Sequence, residues 1–421
     1  MKRLPGFRDF YPDPLPSKDA SRMAARSHIF DSWRRVALRY GFQEYDGPPL
    51  ETLELYTKKS GEEIVEQLYN FVDKGDRDVA LRAEMTPTLA RMVVDSARNY
   101  KKPLKWFSFP QLFRYEKAQV KKGRLREHFQ FNADIIGEDS VAADAEILAL
   151  LIDTLRALGL TEKDFQVRVS SRDAWSGFYR NSEGVDPERE YDFFQVIDKL
   201  ERTAPEETAS KLKDLGVDPE RVEAFIQSAE PTEDLVAVLQ NLQARGLQNY
   251  VTIDYRIVRG LAYYSGVVYE AFDTEGAFRA IAGGGRYDGL IERISDGKVK
   301  LPALGFGMGD VVLSELLLSK GLLPAPTSSC DLYILIEEPS HRPRSLKLLQ
   351  QAREAGIPTE YSFLDIRGDK QVKKALELGA TWTARLDPES DAIVIRHLET
   401  REEQRLASDS WTSFFALSLK A

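Results

Sequence analysis

The sequence predicts an α+β chain: an antiparallel region with accompanying helices, a helical insertion, and a C-terminal α/β domain. Three observations predict it. Strand signals in the first half come as neighbouring pairs joined through turns, which is antiparallel order rather than βαβ order. Between about 174 and 247 the composition shifts to polar, helix-favouring sequence punctuated by Pro187, Pro205, Pro219 and Pro231. After the linker-like LLPAPTSSC, strand and helix patterns alternate, as βαβ units require. The expected domains are therefore 1–325, carrying the insertion, and 326–421.

Taken in order, Ile29, Trp33, Val36 and Tyr40 share one helical face within Ser21 to Tyr40, and Gly41 ends the run. The extended FQEYDGPPLE follows. YNFVDKGDRDVALRAEMT alternates like a hairpin turned at Lys74 to Asp76. PLKWFSFPQLFRYE and HFQFNADIIG read as a second strand pair around a basic loop. Ile147, Leu148, Leu151, Leu155 and Leu158 make a helical stripe that Gly159 closes. Beyond the insertion, YVTIDYRIVRG and SGVVYEAFD are strand-like, IAGGGRYDGL is glycine-dense, and LPALGFGMGDVVLSELLLSKG passes from strand through a glycine turn into a helix.

With 421 residues, a prior of roughly 100 to 200 per domain gives two to four domains. Lys+Arg 58 against Asp+Glu 67 leaves a net charge of −9, so a polyanion site has to be a local patch. Mean hydropathy is −0.38, and no stretch approaches the ~18 apolar residues of a membrane span. The single cysteine, Cys330, cannot form an internal disulfide, and His28, His128, His341 and His397 are too scattered for a zinc site. No metal held by a protein cluster is expected. The start, MKRLPGFRDFYPDPLP, has no apolar core and carries acids, which predicts a cytoplasmic protein rather than an exported or imported one.

The chemistry-bearing residues concentrate in four segments. In FRYEKAQVKKGRLREHFQFNADIIG, Lys117, Lys121, Lys122, Arg124 and Arg126 crowd a loop without acids, suited to phosphates or simply to solvent at a hairpin tip. Arg114 and Glu116 share one strand face, as do Gln130, Asn132 and Asp134. In IVRGLAYYSGVVYEAF, Arg259 next to Gly260 offers a planar fork of donors to a phosphate, or an ion pair to a carboxylate. AGGGRYDG is not a P-loop; its glycines suit a flat wall against a planar ligand or a tight hairpin. LRAEMTPTLAR places Glu84 and Thr86 two apart, able to hold an amine together, with Thr86 equally suited to cap a helix.

These residues resemble a family. YGFQEYDGPPLE is similar to the first signature motif of class II aminoacyl-tRNA synthetases, and FRYE with its basic loop and HFQFNADIIG to the second. VRGLAYY and AGGGRYDGL resemble the two histidine-specific motifs of histidyl-tRNA synthetases, so the likeness spans nearly the whole chain. It implies a six-stranded antiparallel catalytic sheet flanked by helices, an α/β anticodon-binding domain, and a homodimer through the first motif around Pro48. The implied partners are histidine, ATP and tRNA(His), with Mg²⁺ as cofactor. By the same resemblance Glu84, Thr86 and Gln130 hold the α-amino group, Asp134 and Tyr264 meet the imidazole, and Tyr263 and Tyr287 join the histidine pocket. Arg114 and Arg259 are implied on opposite sides of the α-phosphate as the catalytic pair. Glu116, Arg126, Gly307 and Gly309 are implied in ATP binding, and Lys117, Lys121, Lys122 and Arg124 in guiding the tRNA acceptor end.

Three departures from the family's commonest pattern stand out. GFGMGDVVL has Val311 and Val312 where the third motif usually ends in Glu-Arg, a variant similar to plant-type histidyl enzymes. Ala262 and Asp134 stand where Asp and Glu are commoner. The alternative implied by the same likeness is a catalytically inactive regulatory subunit of ATP phosphoribosyltransferase. Retention of Arg114, Arg259 and the C-terminal α/β pattern speaks against it.

Overall fold

The computed structural model describes residues 3–17, 21–60, 62–116, 125–259, 263–325, 328 and 330–418. The chain divides into two compact units, one of residues 1–10 and 25–323, the other of 11–24 and 324–421.

The larger unit follows the chain in this order: α1 (Met23–Arg39), β1 (Gln43–Glu44), β2 (Leu50–Thr52), α2 (Leu53–Ser60), β3 (Asn70–Val72), β4 (Asp78–Leu81), α3 (Thr86–Ser96), β5 (Leu104–Ser108), β6 (Gln111–Phe113), β7 (Glu127–Ile136) and α4 (Val141–Arg156). Then come β8 (Phe165–Ser171), α5 (Arg172–Arg180), α6 (Glu190–Asp198), α7 (Pro205–Asp214), α8 (Pro219–Ser228), α9 (Glu233–Ala244), β9 (Val251–Ile253), β10 (Ser265–Asp273), β11 (Ala282–Arg286), α10 (Leu290–Ile294), β12 (Ala303–Gly309) and α11 (Asp310–Ser319). The central sheet has nine strands in the order β9-β8-β10-β11-β12-β7-β5-β1, with β6 paired to β7. Its middle six, β8 to β5 in that order, are antiparallel throughout. Short parallel strands, β9 and β1, are added at the two ends. A separate three-stranded sheet, β2-β4-β3, carries the predicted hairpin, turned at Asp76 with φ 55°.

The helices form where the apolar spacing demands. Ile29, Trp33 and Val36 of α1 and Ile147, Leu148, Leu151 and Leu155 of α4 are fully buried in one core with Phe165, Val167 and Val169 of β8. Gly41 and Gly159, at φ 75° and 91°, close the two helices in the left-handed region that glycine tolerates. The insertion α5 to α9 is helical as expected and joins the same core through Trp175, Phe193, Leu235 and Leu242. Gly283, Gly284 and Gly285 of AGGGRYDG lie within β11, in the middle of the sheet. The tight-hairpin reading of that segment is thereby corrected: Gly284 needs the close approach, since a Cβ there would meet the Phe306 Cα of β12 at 2.7 Å.

The smaller unit holds β13 (Leu332–Ile334), α12 (Arg342–Glu354), β14 (Thr359–Tyr361), α13 (Gly368–Glu377), β15 (Trp382–Leu386), β16 (Ile393–His397), β17 (Glu403–Leu406) and α14 (Trp411–Ser418). β14, β13 and β15 are parallel, joined by α12 and α13, while β15, β16 and β17 run antiparallel. Leu332, Ile334, Leu348, Ile393, Ile395 and Phe415 fill its core.

Candidate active site

One face of the central sheet carries a cavity of about 970 Å³. Because side chains alternate along a strand, the cavity takes every second residue from neighbouring strands: Glu270 and Phe272 of β10, Gly283 of β11, Gly307 and Gly309 of β12, His128 and Gln130 of β7. The register puts them in rows, Glu270 opposite Gly283, Gly283 opposite Gly307, and Gly309 opposite Gln130. Without Cβ atoms the floor lies flush with the backbone. A Cβ would sit 2.5 Å from Arg259 Nη1 at Gly283 and 2.6 Å from the Gln130 carboxamide at Gly307.

Arg114 and Arg259 both line this cavity. Arg114 follows β6 on one side of the glycine floor, its backbone N–H donating to the Arg126 carbonyl at 2.9 Å and its Nε to the Ala83 carbonyl at 3.4 Å. Arg259 packs on Gly283 at the other side. Its backbone is left-handed, φ 56°, and Arg172 donates to its carbonyl at 2.7 Å and to that of Val258 at 3.2 Å. The Arg259 guanidinium pairs with Glu270 and lies 5.5 Å from the centre of the Tyr264 ring. Burial opposes its charge, but Tyr264 and Glu270 outweigh burial and hold its pKa above the ordinary value. The ion-pair reading of this arginine is thus realised on the cavity wall itself. Arg259 Nε is one of several buried side-chain atoms among the described residues that have no hydrogen-bond partner.

Six predicted residues meet at the cavity: Arg114, Glu116, Gln130, Arg259, Gly307 and Gly309. Seven do not line it. Arg126 turns away, donating from Nε to the Glu116 carbonyl at 3.0 Å beside the Tyr115 ring. Asp134, Tyr263, Tyr264 and Tyr287 form a packed cluster next to it. Tyr264 lies 4.6 Å from Tyr263 between centroids, Tyr263 meets Tyr287 edge-on at 6.0 Å, and the Tyr287 hydroxyl donates to Asp134 at 2.5 Å. Asp134 is on the same sheet face as Gln130, opposite Gly305, so the cluster continues the cavity floor. Its carboxylate is covered by the chain's own Tyr287 rather than open to an imidazole. Burial pushes its pKa up to about 7, against the Tyr287 hydrogen bond. Glu84 and Thr86 are partly buried, Glu84 close enough to Tyr263 to raise that hydroxyl's pKa further after burial. Thr86 opens α3 while Met85 occupies the cap position with no side-chain bond, so the capping alternative for Thr86 is not realised. Lys117, Lys121, Lys122 and Arg124, with Gly260 and Ala262, lie outside the described residues.

The sequence reading missed several wall residues. His128 and Glu270 are one alternation step from Gln130 and Phe272, a signal that strand pairing alone would have supplied. Burial, then the nearby positive charges of Arg114 and Arg8, pull the His128 pKa down to about 3, so the imidazole is neutral. Arg256 and Arg279 reach the wall from loops that no periodicity marks. Val311 and Val312 at the start of α11 line it too, confirming an apolar pair at that position. Arg8 clamps the same end, pairing with Glu127 at 2.9 Å and with Asp310 at 2.8 Å.

Among the described residues no group of three or more His, Cys, Asp or Glu is placed to hold a metal ion, and no helix is long and apolar enough to cross a membrane. Fold and cavity define the class: an α+β unit whose antiparallel sheet sets a glycine floor between arginines. The family model for histidyl-tRNA synthetase matches residues 12–310. The chain is 43% identical over 428 residues to the histidine–tRNA ligase of Opitutus terrae, covering 96% of this chain and 95% of that one. It is 35% identical over 426 residues to that of Thermoplasma volcanium, covering 96% of each. A solved histidyl-tRNA synthetase from Nostoc superposes with a TM-score of 0.78 at 22% identity, over 97% of both chains, which is a likeness of fold. The chain belongs to the histidyl-tRNA synthetase family.

Proposed function

We propose that this chain is a histidine–tRNA ligase: it activates histidine with ATP to histidyl-adenylate and transfers the histidyl group to the 3′ end of tRNA(His). Family membership carries the reaction class. The observation that supports its chemistry here is the pair of guanidiniums, Arg114 and Arg259, on the two sides of the glycine floor. In the first step the histidine carboxylate attacks the α-phosphorus in line and pyrophosphate leaves. Charge grows on the equatorial oxygens, where Arg114 and Arg259 stabilise it. Gly283 and Gly307 let the nucleotide lie against backbone, and Glu116 stands at the base or its neighbourhood.

Mg²⁺ takes few protein oxygens and completes its shell from substrate phosphates, and Glu270, on the cavity wall beside Arg259, would be a ligand of that kind. When bound, it would neutralise part of the triphosphate charge. Glu270 also holds Arg259 ready while no nucleotide is present, and gives it up to the phosphate. Gln130, with Glu84 and Thr86, is the amine-holding set. Asp134 and Tyr264 read the imidazole, whose one donor and one acceptor nitrogen suit a carboxylate and a phenol. That role requires Tyr287 to share Asp134 with the ligand. In the second step the terminal hydroxyl of the tRNA attacks the activated carbonyl, the segment from Lys117 to Arg126 guiding the acceptor end and the smaller unit reading the anticodon. We also infer a cytoplasmic protein, and a homodimer supported by exposed Pro48, Leu50, Phe71 and Val72 near the first motif.

The test is histidine-dependent exchange of labelled pyrophosphate into ATP. Wild-type protein should support it, and Arg259→Ala should abolish it while the circular dichroism spectrum stays unchanged. Histidine binding without any exchange by the wild type would instead favour the regulatory-subunit reading.

A further inference from the structure

Arg259 stands in a segment without regular structure of its own. Residues 254–259 lie in neither strand nor helix, so no ladder fixes the carbonyls that lead up to the cavity. Side chains of the helical insertion fix them instead. Resting on the reading of this cavity as the nucleotide site, we propose that Arg172 is a positioning residue: it ties the insertion to the backbone of Arg259 and so holds the Arg259 guanidinium where a phosphate would meet it.

The ties come from one face of α5. Arg172 and Trp175 are three residues apart on that helix and therefore neighbours. Trp175 Nε1 donates to the Tyr255 carbonyl at 2.8 Å, and Arg172 Nη1 donates to the Val258 and Arg259 carbonyls at 3.2 and 2.7 Å. Tyr255 is gripped twice more. Its hydroxyl donates to the Glu230 carbonyl at 2.6 Å, and its ring packs 4.7 Å from that of Phe225 on α8. Arg172 is itself well anchored, because β8 runs directly into α5, with Ser171 accepting from the Ala174 N–H at 3.2 Å, so the helix starts from the cavity's own sheet. The buried Phe194 ring of α6 lies against the guanidinium, its centre 3.8 Å from Cζ.

What these ties hold is a backbone in the left-handed region. Arg259 has φ 56°, and relaxing to the usual negative φ would swing its side chain away from Gly283, where a Cβ would stand 2.5 Å from Nη1. Glu270 holds the far end of that side chain and Arg172 its root. A misplacement of about 1 Å is enough to cost on the order of a hundredfold in rate, so loss of the tie should be felt at the phosphate and little at the amino acid.

The experiment pairs calorimetric titration of the full chain with ATP and pyrophosphate exchange. The variants are Arg172→Lys, Phe194→Leu, Arg259→Ala, and Arg172→Lys combined with Arg259→Ala. Lysine keeps the charge but has no planar fork to bridge two carbonyls, and leucine removes the ring while leaving Arg172 in place. Arg172→Lys should lower the exchange kcat about tenfold and weaken ATP about fivefold, with the KM for histidine within about twofold of wild type. Phe194→Leu should act in the same direction by about threefold. In the Arg259→Ala background Arg172→Lys should cost ATP affinity nothing further, because a positioning residue falls silent once the group it positions is gone. Wild-type exchange by both Arg172→Lys and Phe194→Leu overturns the proposal. So does an Arg172→Lys effect on ATP affinity that is the same with and without the Arg259 guanidinium. A wild type that binds ATP but shows no exchange sinks the ligase reading instead, and the ATP affinities still decide the role of Arg172.

Discussion

At Arg259 a non-glycine residue sits in the left-handed region, at a cost of order 1–3 kcal/mol. Two donations from the buried Arg172 to the Val258 and Arg259 carbonyls offset it, since hydrogen bonds from charged groups contribute roughly 1.5–3 kcal/mol each. Arg172 therefore acts on the cavity through the backbone of its neighbour. Asp134 makes a different kind of trade. Its folded pKa of about 7 lies above the ordinary 3.8, so between about pH 4 and 7 the folded state keeps a proton that the unfolded chain gives up. Its contribution is most favourable below pH 4 and is lost as pH rises to about 7, by up to ~4 kcal/mol at about 1.4 kcal/mol per unit. Asp134→Asn keeps an acceptor for the Tyr287 hydroxyl and has no proton to lose. Its melting temperature relative to the wild type should climb between pH 4.5 and 8; a difference independent of pH would remove Asp134 as the source.

Among the elements, β11 shows what a sequence can and cannot convey. Periodicity located the helices α1 and α4 and the paired strands β5 to β7, because one apolar face on a regular repeat is written directly into the residues. It left AGGGRYDG open between wall and hairpin, since glycine has no side chain whose pattern could be read. The choice was made by β10 and β12 pairing on both sides, a contact remote in sequence. The same remoteness hid Glu270 as the partner of Arg259 and Tyr287 as the cover on Asp134. The resemblance implied histidine- and ATP-binding roles for Gln130, Arg114 and Gly307, and the structure sets all three on one cavity wall, yet the resemblance gave no warning that Arg126 would turn to Glu116. The glycine floor makes its own prediction. In Gly283→Ala the new methyl would overlap the Arg259 guanidinium, so pyrophosphate exchange should fall by about tenfold or more. Alanine is the better strand residue by roughly 0.5–1 kcal/mol, so the melting temperature should hold or rise. A variant that loses stability and activity together would point to a packing role for Gly283 instead.

On the scale of the molecule, each unit has its own apolar core, and the larger one leaves an edge uncovered. Leu50, Phe71 and Val72 are 36%, 51% and 61% exposed on the small sheet β2-β4-β3. In the proposed homodimer this apolar strip is the seat of the second copy. Light scattering at micromolar concentration should give the mass of a dimer for the wild type and of a monomer for Phe71→Glu; a monomeric wild type would end that idea. Another property of the whole concerns its beginning. Arg8 reaches across to Glu127 at the base of β7 and Asp310 at the head of α11, and burial already pushes the Asp310 carboxyl upward in pKa. The first residues are thus a clasp holding two acidic groups that would otherwise repel each other beside the cavity. Anyone fusing a purification tag to the amino end, or trimming it for crystals, has to leave that clasp in place.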